Sequence, residues 1–454
     1  MRAQPLGAIC LAWMGIFPLL AAPLQRPYTV DSYDVSIQPD LMKQHVTGEA
    51  TIRFHSRVDT SISALELDAG ELQIASVVEG DAKQFFERKG STLGIVLTTP
   101  LHPDEHRTIT VRYQAGPADG LKFFPDQMYT SVTSDWMPCD NRPGERAALH
   151  LTIATPQDMK VAASGRQTTT RASEGHNITE WQLDSPTAPS LFGFALGSFT
   201  ENTSETAGVK LRVLGAGAQI FEPTVAAIRY LGERSGKGYP SQAYTQVFIH
   251  GDVIRSMAGL TLLPESSAQE LAKPDTLWLL TSELAHQWYG VGIASKDWSD
   301  LWLSEGVSAF LAAAFLGERF GKASYESQIE HSRQIYNRLR AEDKDRSLSF
   351  SQWTSFEDAS GEIPAHKGAC FLYLVHALLG DSAFWDGLRL YTSELWGRAA
   401  TSEDFQKAFE TVHAPNPNTG KKGVAIRKNG KNAAKPLDNL FDLWVYGIPA
   451  GKTK

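Results

Sequence analysis

Cysteine is scarce: Cys10, Cys139 and Cys370 are the 3 in 454 residues, too few for a disulfide framework. Positive charge is not in excess either. With 43 Lys and Arg against 51 Asp and Glu the net charge is −8, which gives no electrostatic reason for nucleic acid or anionic membrane as a partner. No G-x-G-x-x-G or G-x-x-x-x-G-K-[ST] loop, no internal repeat and no G-x-S-x-G elbow is present, so nucleotide cradles, solenoids and serine-hydrolase chemistry have no support. Beyond the first two dozen residues no unbroken apolar run reaches the 18 or so residues needed to cross a bilayer. No membrane span is expected in the mature chain.

The first residues do carry such a run. Arg2, an apolar stretch to Leu20 and Ala21-Ala22 resemble a secretory signal peptide over residues 1–22. Leucine three positions before the cut departs from the usual small residue, so an uncleaved anchor is the alternative. The expectation is export, to a periplasm or the exterior. Removal of this segment leaves Cys139 and Cys370, both expected to be free and buried.

A chain of this length exceeds one core, and two domains are expected, 23–201 and 202–454. From Pro27 to Glu201 apolar residues alternate, as in Ile109, Val111 and Tyr113, between Gly and Pro turns, the pattern of a strand-rich sandwich. From Asn202 the period lengthens: Leu277 to Trp288, Val307 to Phe320, Cys370 to Leu379 and Phe405 to Val412 read as helices. The fold class is therefore α+β. Lys421 to Lys435, with six Lys or Arg, reads as a solvated basic loop.

The chemistry is concentrated in Thr281-Ser282-Glu283-Leu284-Ala285-His286-Gln287. It matches the metallopeptidase zinc helix H-E-x-x-H except that Ser282 stands at the first histidine. In the intact motif the two histidines lie one helical turn apart on one face and ligate one zinc, and the glutamate is the base for the metal-bound water. Here Glu283 keeps the base position and His286 the second ligand position. Eighteen residues after His286 comes Glu305, in Trp302-Leu303-Ser304-Glu305-Gly306.

That spacing is the third-ligand spacing of the gluzincins, and the chain from 27 to 450 resembles the zinc aminopeptidases of the membrane alanyl aminopeptidase and leukotriene A4 hydrolase type. Trp136-Met137-Pro138-Cys139-Asp140 resembles part of that family's amino-terminal domain, and Ile363 to Ala369 its Pro-Tyr-x-Lys-Gly segment. Leu440 to Pro449 resembles the end of its catalytic domain. The resemblance implies an antiparallel β-sandwich (saddle) domain followed by a mainly helical thermolysin-like domain. It implies one zinc as cofactor, held by His286 and Glu305, and peptide or protein amino termini as ligands.

Two more matched positions carry the wrong residue. The family's Gly-x-Met-Glu-Asn, whose glutamate pairs with the substrate's ammonium, corresponds to Arg255-Ser256-Met257-Ala258-Gly259, so Ala258 replaces the glutamate. Ala365 replaces the tyrosine whose hydroxyl steadies the oxyanion. Losing one oxyanion donor costs about a hundredfold to a thousandfold in turnover, and a catalytic zinc usually has three protein ligands. The resemblance therefore implies an impaired relative, a pseudopeptidase with a peptide-binding cleft. The alternative is a weakened zinc metallopeptidase with Glu283 as base and His286 and Glu305 on the metal. His366, next to Ala365, and His250, ending a strand-like run, are candidate substitutes for the missing groups.

Structural roles compete with each of these. Glu283 and His286 could form a buried hydrogen-bonded relic with Ser282. Glu305 could be a first-turn carboxylate with Ser304 or Asp300 as helix cap, and Trp278, Trp288, Trp298 and Trp302 could be core rather than cleft.

Overall fold

The computed structural model describes residues 26–173, 175–270, 273–413 and 436–447. The signal-like segment with Cys10, and the basic loop Lys421 to Lys435, lie outside the described residues.

The amino-terminal half is strand upon strand. Its main sheet has eight strands, with Tyr28–Asp40 between Ala148–Pro156 and His45–Ser56, and His106–Ala115 next to the last of these. The pairing is antiparallel except where Tyr28–Asp40 runs parallel to Ala148–Pro156. Alternation decides which face packs: Ile109, Val111 and Tyr113, and Leu149, Leu151 and Ile153, are all 2% exposed or less. Three-stranded and four-stranded sheets cover the buried face.

From Glu201 the structure differs from the helical period expected there. Residues Glu201–Thr206, Val209–Leu214, Ala243–Ile249, Leu260–Pro264 and Arg255–Met257 form a five-stranded mixed sheet before the main helices begin. The parallel strands Ala243–Ile249 and Leu260–Pro264 are buried on both faces. The strand-like run that ends at His250 is Ala243–Ile249, with Thr245 and Gln246 buried among its apolar residues. Helices then dominate: Phe221–Ser235 within the sheet segment, and Pro274–Ala285, Trp302–Phe320, Lys322–Ala341, Gly368–Leu379, Asp381–Leu395 and Ser402–His413 after it.

Helix Trp302–Phe320 is the axis of this half. Apolar on nearly every side, it buries Val307, Phe310, Leu311, Phe315 and Leu316 against its neighbours. The stretch Trp298–Phe320 is the one described helical segment long and apolar enough to cross a bilayer, and 83% of its apolar window is covered by the protein itself. Its amino-terminal end crosses helix Gly368–Leu379 through glycine: a Cβ on Gly306 would lie 2.8 Å from the Gly368 Cα, and one on Gly368 would lie 2.6 Å from the Gly306 Cα. Only hydrogen fits on either side of that crossing.

Cys139 and Cys370 are both free and buried, as expected from their number. Burial raises both thiols, Cys370 to about 11, so neither is a nucleophile.

Candidate active site

Helix Pro274–Ala285 ends inside the motif, with His286 as its carboxyl-terminal cap residue. The chain then turns back through Gly290 at φ +146°, where a Cβ would lie 2.9 Å from the His286 carbonyl oxygen. This turn sends the strand-like link toward Trp302–Phe320 and sets Glu305 opposite His286. The His286 Nε2 and the Glu305 Oε2 lie 3.8 Å apart, with both side chains about 15% exposed or less.

The other ring nitrogen is fixed from behind. Ser304 donates its hydroxyl hydrogen to the Tyr289 carbonyl, so its oxygen is left to accept from His286 Nδ1 at 2.9 Å. That arrangement turns Nε2 toward Glu305, the orientation a ligating imidazole needs. Burial raises the Glu305 carboxyl; His286 and Arg255 oppose this, while Glu283 adds to it.

Glu283 is held by a different partner from the one expected. Ser256 donates to the Glu283 Oε2 at 2.9 Å and lies 2.7 Å from its main-chain oxygen. Ser256 in turn meets Thr261 at 3.2 Å, and Thr261 meets Tyr244 at 2.9 Å. The expected Glu283, His286 and Ser282 relic is therefore replaced by two separate serine-anchored arrangements. Ser282 is 6% exposed and is not among the residues that line the cavity.

Between the two halves lies a cavity of about 190 Å³. Glu283, His286, Glu305, Arg255 and Ser256 line it from the second half, and Ser190 and Leu191 from the first. The Arg255 guanidinium stacks 3.5 Å from the centroid of Phe356 and donates to the Ser190 carbonyl at 2.8 Å. Sequence reading missed Arg255 and Ser256, although Arg255 stands where the matched motif has glycine.

The remaining expected positions are elsewhere. Ala258 sits in the tight turn before Leu260, 2% exposed, with its main chain bonded to Leu191 and Gly165. Ala365 packs on the helical core within a single π-helical turn, Ile363–Lys367. His366 is held away from the cleft, its ring stacked on Trp278 at 6.0 Å and its Nδ1 3.2 Å from Ser332. His250 lies between Asp126 and Glu265, at 3.2 and 2.8 Å, against Phe124. Neither histidine is among the residues that line the cavity.

The expected caps differ too. Helix Trp302–Phe320 continues out of a 3₁₀ turn, so the Ser304 and Glu305 amides bond to the Leu301 carbonyl, and no side chain caps it. Asp300 instead accepts from the Ser402 amide and hydroxyl. Trp288 and Trp302 are core, while Trp298 reaches the cavity wall.

The sequence carries matching family domains over most of its length. The Peptidase M1 N-terminal domain matches residues 29–191 and the Peptidase family M1 domain residues 251–444. The chain belongs to the M1 peptidase family. Among M1 relatives, the probable aminopeptidase 2 of Sulfurisphaera tokodaii is 22% identical over 92% of this chain and 53% of its own length. Aminopeptidase N of Haemophilus influenzae is 23% identical over 86% of this chain and 48% of its own. The chain thus spans about half the length of these curated relatives. A two-domain architecture of nearly equal size exists: the M1 zinc metallopeptidase of Deinococcus radiodurans superposes with TM-score 0.72 at 22% identity, covering 86% of this chain and 91% of that one. A structure of that enzyme bound to a Tyr-Ser-Ala substrate superposes with TM-score 0.71 at 20% identity, covering 85% and 91%.

M1 membership implies zinc, and the residues present meet it in part. His286 and Glu305 are close enough to share one ion, given zinc–ligand bonds of about 2.0–2.2 Å. Among the described residues no further His, Cys, Asp or Glu donor lies within 4.8 Å of both. Among the described residues His286 and Glu305 are thus two donors without a third of these types beside them.

Proposed function

We propose that this chain is an exported M1 homologue whose catalytic function is impaired and whose interdomain cleft binds peptides. The observation that carries this reading is the ligand set: two zinc donors, His286 and Glu305, with serine instead of histidine at 282. Ala258 removes the carboxylate that would pair with a substrate ammonium, and Ala365 removes the oxyanion hydroxyl. Arg255 stands in the cavity wall beside Glu283 and Glu305, its guanidinium bonded to the Ser190 carbonyl and stacked on Phe356.

A second reading, a weakened zinc metallopeptidase with Glu283 as base and His286 and Glu305 on the metal, is favoured by the inward-facing Nε2 of His286. Metal content decides between them. The purified chain is dialysed against trace zinc and measured by elemental mass spectrometry beside His286→Ala and Glu305→Ala. Zinc at the cleft, counted as the difference from these two variants, is expected to be well below one per chain. A difference close to one, together with hydrolysis of peptide substrates, would overturn the impaired reading. Binding is tested by calorimetry with N-acetyl-leucine and leucinamide, of which at least one is expected to bind, and binding of neither would overturn the peptide-cleft reading.

A further inference from the structure

The outer face of the eight-stranded sheet holds a second group of metal-ligating side chains. His55 and His106 are register partners on adjacent strands, with ring centroids 4.8 Å apart. Asp31 comes from the next strand, at a break in register between Val30 and Ser32. The extra residue of this bulge puts Asp31 and Ser32 successively on the outer face between buried Val30 and Tyr33, which directs the carboxylate toward the two rings. Its Oδ1 lies 2.8 Å from His55 Nδ1 and its Oδ2 2.8 Å from His106 Nδ1.

We propose that Asp31, His55 and His106 form a binding site for a divalent cation of the zinc class, distinct from the interdomain cleft. Two imidazoles and one carboxylate are the donor types such ions take. One donor atom from each residue lies within 4.8 Å of the others. Three protein donors with water in the remaining position match an open zinc site. In the metal-free state the carboxylate accepts both Nδ1 hydrogens. In the bound state each ring carries its hydrogen on Nε2, and the Nδ1 lone pairs turn to the ion. Donors fixed on three adjacent strands require only small side-chain rotations for that change. His106 is about half exposed and His55 and Asp31 about 30%, so solvent reaches the open position. The bound ion would clip three strands together, a structural role for a domain without disulfides.

The test uses the full chain without a polyhistidine tag and with both His286→Ala and Glu305→Ala, so that the cleft cannot contribute. Cobalt titration followed by visible absorption, and zinc by equilibrium dialysis, are expected to give one ion per chain. His55→Gln with His106→Gln is expected to abolish that ion, and Asp31→Asn, which keeps the shape of the cluster, to weaken it by at least tenfold. Zinc at 100 times the parent Kd is expected to raise the Tm of the amino-terminal transition by roughly 5 °C, and by about half of that or less in Asp31→Asn. An affinity or Tm response the same with and without the Asp31 carboxylate would overturn the proposal.

Discussion

The Ser256 hydroxyl donates to the Glu283 carboxylate at 2.9 Å, tying the cavity edge strand Arg255–Met257 to the motif helix. A hydrogen bond to a charged group contributes about 1.5–3 kcal/mol. Ser256→Ala is expected to lower the unfolding free energy by about 2 kcal/mol in urea titrations. An unchanged midpoint would mean that Glu283 finds solvent instead.

Completing the ligand set should restore metal binding before it restores catalysis. Ser282→His is expected to raise the zinc held at the cleft toward one per chain, lost again on adding Glu305→Ala. Peptidase activity is expected only when Ala258→Glu and Ala365→Tyr are added, measured with an aminoacyl anilide. If the triple variant binds no more zinc than the parent, residue 282 is not the ligand position.

The Gly306 and Gly368 crossing leaves no room for a side chain. Gly306→Ala places a methyl group 2.8 Å from the Gly368 Cα, and overpacking of this kind costs about 1–3 kcal/mol. A fall in Tm is expected, together with a loss of ligand binding at the cleft greater than the loss of fold, since Glu305 precedes Gly306.

His366 makes stability fall in acid. Burial, and then the neighbouring His331, lower its pKa from 6.5 to about 4. The unfolded chain takes up the proton first as pH drops, so this contribution is full above about pH 6.5 and lost as pH falls through about 4. The loss is about 3 kcal/mol at most, at 1.36 kcal/mol per pKa unit. His366→Phe, which keeps an aromatic ring on Trp278, is expected to flatten the urea midpoint between pH 6.5 and 4 relative to the parent.

Much of this was legible in the sequence, for reasons that differ by element. Ile109, Val111 and Tyr113 announced a half-buried strand because only one face of that sheet meets the core. The Glu283, His286 and Glu305 spacing announced two helices meeting at one point, and the two helices do meet there. The run ending at His250 read as a strand, and Ala243–Ile249 is one, although both its faces are covered. Ser256 and Arg255 went unread because their importance depends on a neighbouring strand lying against the motif helix, which no local pattern encodes. The partner of His366 was hidden for a similar reason: adjacency to Ala365 in the chain does not show that its ring stacks on Trp278 beside the π turn.

Gly306 and Gly368 also bear on how such a chain could drift. Their contact is backbone against backbone, so the spacing between the wall that carries Glu305 and the turn that carries Ala365 does not depend on which side chains stand at 258, 282 or 365. The crossing itself makes no demand on those three positions. Residues there can change while the two walls it spaces stay where they are.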